Sequence, residues 1–281
     1  MQASKAVLFI TTGTVLLFRI YSATEYRNRA KYTDFPYVVR LLIDKSGGKM
    51  ICAGSLIHPQ WVLTAAHCTT DYKFIQVHAA IKEAEKGTAN SSQELSAEKC
   101  ISYPGFINKL ALIGMNLNND YSLIRLEGSF EVDNKNVGLV VLENRTWSDD
   151  EQRNCLAVGF GAIHDSEGLY FFSVNAVHAS CPCKTKKYLL ERYICTTISE
   201  KYGSSICPGD SGGPLICDDK QVGLASHTYP GQRCDLFSTR THKTFGCDKP
   251  GTVSSFTYVC PVLSWIRKNV GDSIPIQPAY C

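Results

Sequence analysis

The sequence is poor in net charge and lacks an uninterrupted apolar run long enough to cross a bilayer. Its 29 Lys and Arg residues nearly balance its 26 Asp and Glu residues, so composition gives no reason to expect a nucleic-acid partner or a polybasic membrane surface. The apolar run at residues 6–18 is interrupted at residues 11–14 and followed by Arg19, whereas a spanning helix needs about 20 apolar residues. The sequence also lacks internal repeats and low-complexity tracts. These features indicate a globular chain of 281 residues, with room for one large domain or two small ones.

The first 23 residues have the proportions of a signal peptide. Lys5 precedes the apolar run, and the small residues Ser22 and Ala23 follow it, which predicts cleavage near those two residues. An uncleaved signal anchor is the alternative, because the site is not an ideal small-x-small pattern. We therefore expect a secreted, extracellular protein with no membrane contact after signal cleavage.

Thirteen cysteines behind such a leader indicate a disulfide framework, because disulfides persist in oxidising compartments. Since the number is odd, at least one thiol is free or pairs with another chain, and Cys281 at the end of the chain is the candidate. Asn90 and Asn144 each begin an Asn-x-Ser/Thr pattern and are predicted glycosylation sites.

Short strand-like segments separated by turn signals recur along the chain. The first two flank a turn at residues 46–48 and predict a hairpin. The predicted strands are 37–43, 50–57, 74–77, 121–126, 137–142, 156–160, 170–177, 215–224 and 253–259. This spacing favours an all-β sandwich or barrel over an alternating α/β fold.

Residues 261–270 have a helical period instead. Apolar residues recur there at intervals of three and four, and Gly271 would end the helix. The polar segment 148–153 is the candidate linker between two halves of the chain.

Ser211 lies among three glycines, Gly209, Gly212 and Gly213, in the segment 207–217. Glycine lets the backbone turn sharply and approach a bound carbonyl group, so that main-chain N–H groups can point at one oxygen. The same composition is also typical of a surface turn, so the segment alone does not establish a site.

His67 offers the base that a serine nucleophile needs. It follows the apolar segment 61–66, and Cys52 lies upstream at a spacing suited to a local disulfide with Cys68. A serine hydroxyl is a weak nucleophile until a neighbouring base takes its proton, and a carboxylate commonly orients that base. Asp120, at the start of an apolar strand, is the candidate carboxylate.

The segments around His67, Asp120 and Ser211 resemble those of the trypsin and chymotrypsin family of serine proteases, in the same order and at similar spacing. The resemblance extends to residues 155–161 and 259–266. It implies an all-β fold of two antiparallel six-stranded Greek-key β-barrels with a C-terminal helix. The domain would span residues 24–271, with halves of about 24–145 and 146–260 and a tail at 272–281.

The resemblance implies that the protein hydrolyses peptide bonds through a Ser211 acyl-enzyme, with His67 as the base and Asp120 as its partner. The N–H groups of Gly209 and Ser211 would form the oxyanion hole. Partners would be protein or peptide substrates and protease inhibitors. We expect no metal ion and no organic cofactor, although the resemblance leaves a calcium ion open.

The resemblance also implies a set of disulfides. The implied pairs are Cys52 with Cys68, Cys155 with Cys217, Cys195 with Cys181 or Cys183, and Cys207 with Cys247 or Cys234. A metal site at Cys181 and Cys183 is disfavoured, because no second pair of ligands accompanies them.

The resemblance places the specificity pocket at Ser205, Ser226 and Thr228, with Gly251 or Ser254 on the opposite wall. Ser205 would form its floor. Without a carboxylate there, a buried arginine or lysine side chain would have no charge partner. We therefore expect cleavage after other residues.

The resemblance further implies that a newly cleaved amino terminus pairs with Asp210, yet the sequence has no Ile-Val-Gly-Gly segment. The expected start falls near Thr24, and Arg19-Ile20 is an alternative. A second hypothesis follows from the missing start and from His227 and Thr228, which stand at wall positions where active members of the family usually have an aromatic and a small residue. Under it, the chain is a non-catalytic protease homologue that binds proteins or regulates another protease.

Overall fold

The structure is a computed structural model, and it describes most of the chain after the leader. The described residues are 27–80, 92–106, 119–149, 151–161, 168–179, 181, 192–197, 205–230, 247, 249, 251–274 and 281. The predicted signal peptide, its cleavage site and Asn90 lie outside them. Among the described residues, no helix is long and apolar enough to cross a membrane.

Two closed antiparallel β-barrels form the molecule, and both have six strands. The strands of the first barrel are β2 Val38–Lys45, β3 Gly48–His58, β4 Trp61–Thr64, β5 Tyr72–Ala79, β6 Gln93–Ser102 and β7 Ser122–Leu126, and a short helix, α1 Ala66–Thr69, follows β4. The strands of the second barrel are β8 Gln152–Gly159, β9 Tyr170–His178, β10 Tyr193–Thr196, β11 Pro214–Cys217, β12 Lys220–Pro230 and β13 Thr252–Tyr258. The ring order is β2-β3-β4-β7-β6-β5 in the first and β9-β10-β13-β12-β11-β8 in the second.

Alternating apolar residues build the first barrel. In β2, Val39, Leu41 and Ile43 point into the core and are at most 2% exposed, whereas Arg40 and Leu42 between them are half-buried. This period of two is what a strand with one buried face requires. The predicted hairpin of β2 and β3 is confirmed, with Lys45 opposite Gly48 across the turn.

The predicted strand at 215–224 is two strands. Asp218 and Asp219 both have positive φ and form the two-residue turn between β11 and β12, because hairpin turns of the primed type need this backbone. The polar residues 218–221 between two apolar stretches are the sequence signal of this turn.

The predicted strand at 137–142 is wrong, since the segment forms only an isolated bridge between Leu142 and Gln221. It is a buried connector instead: the Val140 N–H donates to Leu56 of the first barrel, and the Gln221 N–H of the second barrel donates to Val141. The linker predicted at 148–153 overlaps β8, which begins at Gln152.

Two further elements lie outside the barrels, a short strand near the start of the described chain and a helix near its end. β1 Asn28–Arg29 belongs to the predicted first half but pairs with β9 of the second barrel. The predicted C-terminal helix is confirmed as a 3-10 turn, Cys260–Val262, followed by α2 Leu263–Val270, and Gly271 at its end has a φ of +103°.

Candidate active site

His67 is held at the edge of the first barrel by the chain around it. It lies in α1, directly after β4, and the Cys52–Cys68 disulfide ties this helix to β3. The His67 side chain is 18% exposed, so one edge of the ring remains open. The imidazole can therefore contact a bound molecule while its backbone stays fixed.

Asp120 lies just before β7 and is completely buried. Its Oδ2 is 2.8 Å from His67 Nδ1 and also accepts a 2.6 Å hydrogen bond from the Ser226 hydroxyl. Its Oδ1 accepts the His67 backbone N–H at 2.9 Å. Because the carboxylate is the acceptor, His67 holds its proton on Nδ1, and Nε2 of the neutral ring is left as the acceptor.

These contacts keep Asp120 ionised. Burial by itself raises the pKa of Asp120, but the neighbouring His67 and the hydrogen bonds from His67 and Ser226 outweigh it and lower the pKa below its ordinary value. A negative charge therefore faces Nδ1 of His67.

The loop that contains Ser211 packs against the His67 segment. The Ala53 N–H of β3 donates to the Ser211 carbonyl at 2.8 Å, and Cys68 Sγ lies 3.7 Å from the same oxygen. Gly212 has a φ of +77°, and a Cβ there would collide with Thr64 and Ala53. Glycine is therefore required at this contact between the two barrels.

The Ser211 hydroxyl makes no hydrogen bond with His67 within the described part of the chain. Hydrogen bonds between nucleophile and base are commonly long in a free site and tighten when a substrate binds. Half-buried Ser211 thus lies beside the His67 segment without a fixed contact to its ring.

The backbone around Ser211 offers two free donors. Asp210 and Gly213 use their N–H groups inside the loop, whereas those of Gly209 and Ser211 donate to nothing that the structure describes. Gly209 has a φ of +103° and lies against Phe160, where a Cβ would not fit. Two such unpaired N–H groups can bind the oxygen of a polarised carbonyl group.

Asp210 is buried and pairs with Arg27, a residue that the sequence analysis missed. Arg27 forms an ion pair with Asp210, and both side chains are 3% exposed. Its position three residues after Thr24, where the new terminus is expected, is the signal that could have found it. Thr24 and Arg19-Ile20 themselves lie outside the described residues.

The predicted pocket residues Ser205, Thr228 and Ser254 lie close to one another. Ser205 is 1% exposed, and Thr228 of β12 is opposite Ser254 of β13. Ser254 Oγ accepts the Ile206 N–H at 3.0 Å. Thr228 and Ser254 are therefore neighbours in the sheet, and Gly251 lies just before β13, which begins at Thr252.

His227 brings a second imidazole close to Asp120. Its Nδ1 is 3.3 Å from Ser226 Oγ, and its ring contacts those of Tyr193 and Tyr229. Burial lowers the pKa of His227 to about 4, so the ring is neutral near pH 7. The sequence alone predicts His227 only as a residue of the pocket wall.

The disulfides agree with the implied pairs and resolve their alternatives. The bonds are Cys52–Cys68, Cys155–Cys217, Cys181–Cys195, Cys207–Cys247 and Cys260–Cys281. The prediction for Cys281 is wrong, because it pairs within the chain and Cys100 is the free thiol among the described cysteines. Cys183 and Cys234 lie outside the described residues.

Two other sequence predictions concern modification and metal binding. Asn144 is 8% exposed, which leaves its side chain little room for a glycan in the folded protein. The sulfur atoms of Cys52, Cys68 and Cys181 are in disulfides, so they are not free thiolates that could bind a metal ion.

Comparison with known proteins gives one consistent result. The family model described as Trypsin matches residues 26–266. Trypsin of Sus scrofa is 29% identical over 244 residues, which cover 84% of this chain and 91% of that protein. Trypsin-4 of Rattus norvegicus is 33% identical over 248 residues, covering 85% and 86%. Kallikrein-8 of Rattus norvegicus is 25% identical over 233 residues, covering 80% and 79%.

Proposed function

Because the chain belongs to the trypsin family of serine proteases, we propose that it is a serine endopeptidase that acts through an acyl-enzyme on Ser211. The observation that supports this most is the hydrogen-bonded row from Ser226 through Asp120 to His67, which ends beside the Ser211 loop. This row leaves Nε2 of the His67 ring as a proton acceptor at the segment that packs against the Ser211 loop.

In the proposed reaction, Ser211 Oγ attacks the carbonyl carbon of the scissile peptide bond while His67 Nε2 accepts the hydroxyl proton. The carbonyl oxygen becomes negative and binds the Gly209 and Ser211 N–H groups. The C–N bond then breaks, the leaving amine takes the proton from His67, and the acyl group stays on Ser211. Water repeats the sequence and releases the acid.

Two features favour this activity over a non-catalytic homologue. The N–H groups of Gly209 and Ser211 have no acceptor within the described chain, so they are available to a substrate oxygen. Removal of one donor from an oxyanion hole typically lowers kcat by about 10²–10³-fold. The buried carboxylate of Asp210 also has a cation, Arg27, although the familiar activation segment is missing from the sequence.

The proposed pocket selects an uncharged substrate side chain. Ser205 at its floor and Ser254 at its wall have no charge, and a buried cation without a partner is strongly disfavoured. We further propose that the enzyme is secreted after signal cleavage, and its several disulfides support an oxidising compartment.

A fluorophosphonate probe tests the proposal, because it labels a serine only when base and oxyanion hole are in place. We expect the secreted protein to be labelled, and Ser211→Ala to abolish labelling. The matched control is Ser173→Ala, at an exposed serine of β9, which should be labelled normally. If the wild-type protein is never labelled, whatever its processing, the homologue hypothesis is correct instead.

A further inference from the structure

Arg27 reaches the Ser211 loop from the opposite end of the chain. Its Nη1 donates to Asp210 Oδ1 at 3.2 Å and to the Gly161 carbonyl at 3.0 Å. Its Nη2 donates to Asp210 Oδ2 and, at 2.7 Å, to the carbonyl of Ser205. One guanidinium group thus connects the residue before Ser211 with the proposed pocket floor.

The remaining acceptor sites of Asp210 are also occupied. Oδ1 accepts the Gly161 N–H at 2.8 Å, and Oδ2 accepts the Cys207 N–H at 2.7 Å. Two carboxylate oxygens have about four acceptor positions, so the four donors saturate them. A second cation would have to displace Arg27.

The backbone next to Arg27 is held in a sheet, which fixes the position from which its side chain reaches Asp210. Asn28 and Arg29 pair with Phe171 and Tyr170 of β9, and the guanidinium lies 4.6 Å from the centre of the Phe172 ring. This stacking on an aromatic face adds a favourable contact to the ion pair.

We propose that Arg27 is the internal cation that orders the Ser211 loop, so that the site forms without a newly cleaved amino terminus. The inference rests on the proposed peptidase function. A buried carboxylate that loses its partner must be solvated or protonated, and either change moves the loop that orients Ser211 and the Gly209 N–H. Arg27 is therefore a positioning residue that touches no substrate.

The first test removes the charge and keeps the length of the side chain. We expect Arg27→Met to lower the rate of fluorophosphonate labelling about 100-fold, the usual effect of losing an oxyanion donor. Arg27→Lys, which keeps a cation, should recover at least part of that loss. Arg125→Met is the control: Arg125 forms an exposed pair with Glu98, and its loss should leave labelling unchanged.

The second test blocks the alternative cation. A mature chain that starts at Thr24 is compared with the same chain carrying an uncleavable extension before Thr24. We expect equal labelling, because the extension leaves Arg27 in place. Labelling that requires a free amino terminus would overturn the inference, and so would a normal rate in Arg27→Met.

Hydrogen exchange separates the two proposals if labelling fails. In the wild-type protein the amides of Gly161 and Cys207 are bonded to Asp210, and we expect Arg27→Met to speed their exchange at least tenfold. Arg27→Gln, which also removes the charge, provides the same comparison if the Met variant does not fold. A wild-type protein that is never labelled contradicts the peptidase function, whereas unchanged exchange in both variants contradicts the role of Arg27.

Discussion

At the level of single residues, two buried carboxylates of the candidate site have different hydrogen-bond partners. Asp120 is bonded to an imidazole and a hydroxyl group, whereas Asp210 is bonded to a guanidinium group and two amides. A buried charge is tolerated only with such partners. The contacts of Asp120 orient the His67 ring, and those of Asp210 hold the Ser211 loop in place.

The Ser226 hydroxyl should stabilise Asp120 mainly by its charge-assisted hydrogen bond. Asp120 has a pKa below its ordinary value of 3.8, so it stabilises the fold above that pH, and the contribution is lost as the pH falls through the folded pKa. Ser226→Ala should lower the unfolding free energy near pH 7 by about 1.5–3 kcal/mol and move the acid loss to higher pH. Urea unfolding between pH 3 and 7 measures both.

Ser55→Ala is the matched control, because Ser55 is equally buried but its hydroxyl has no hydrogen-bond partner in the described chain. This variant should change stability little. Equal losses in the two variants would contradict a special role for the Ser226 hydroxyl.

His227 should make the fold sensitive to mild acid. Its pKa is about 4 when folded, below the ordinary 6.5, so between these values the unfolded chain binds a proton that the folded chain does not. Stability therefore falls as the pH drops through this window, by up to about 3 kcal/mol in total. His227→Phe should flatten this part of the curve of unfolding free energy against pH, and an unchanged slope would refute the assignment.

At the scale of elements, tertiary pairing overrides local preference in two places. β6 is rich in polar residues and mostly outside the core, and it forms because β5 and β7 supply ladder partners on both sides. The apolar segment 137–142 has the composition of a strand, but it is a connector whose hydrogen bonds are divided between the barrels. The composition of a segment does not show which other segments will form hydrogen bonds with it.

The helix α2 should depend on one buried face. Ile266 is completely buried, whereas Lys268 two positions later is exposed. We expect Ile266→Ala to lower the unfolding free energy by about 2–5 kcal/mol, since it removes buried methyl groups and leaves a cavity. Lys268→Ala should change it by less than about 0.5 kcal/mol in the same denaturant titration. Similar effects of the two changes would mean that the helix does not pack as described.

At the scale of the whole molecule, the candidate site lies where the two barrels meet. His67 and Asp120 come from the first barrel, and the Ser211 loop and Ser226 come from the second. The Ala53–Ser211 hydrogen bond and the tight contact of Gly212 join these halves. The site can therefore form only when both barrels are folded and packed together.

The Cys260–Cys281 disulfide should form within one chain and not between two chains. We expect a monomer on a non-reducing gel and a peptide map in which Cys281 is linked to Cys260. Cys100 should be alkylated slowly in the native protein, because burial raises the pKa of its thiol to about 11, and rapidly after unfolding. A disulfide-linked dimer through Cys281 would contradict this pairing.

The class of the fold and the residues of the candidate site could be predicted from the sequence alone. His67, Asp120 and Ser211 stand in short segments that resemble those of a known family, and strand and helix periods are likewise local properties. These can be recognised without coordinates. The same holds for the disulfides that the family resemblance implies.

Which distant residues meet depends on the tertiary structure. Arg27 lies 183 positions from Asp210, Cys281 pairs with Cys260, and Ser254 is opposite Thr228 because of strand register. No local pattern records such pairs, since they depend on how the barrels close and pack. The ion pair of Arg27 with the Ser211 loop is therefore visible only in the folded chain, because no sequence motif includes Arg27.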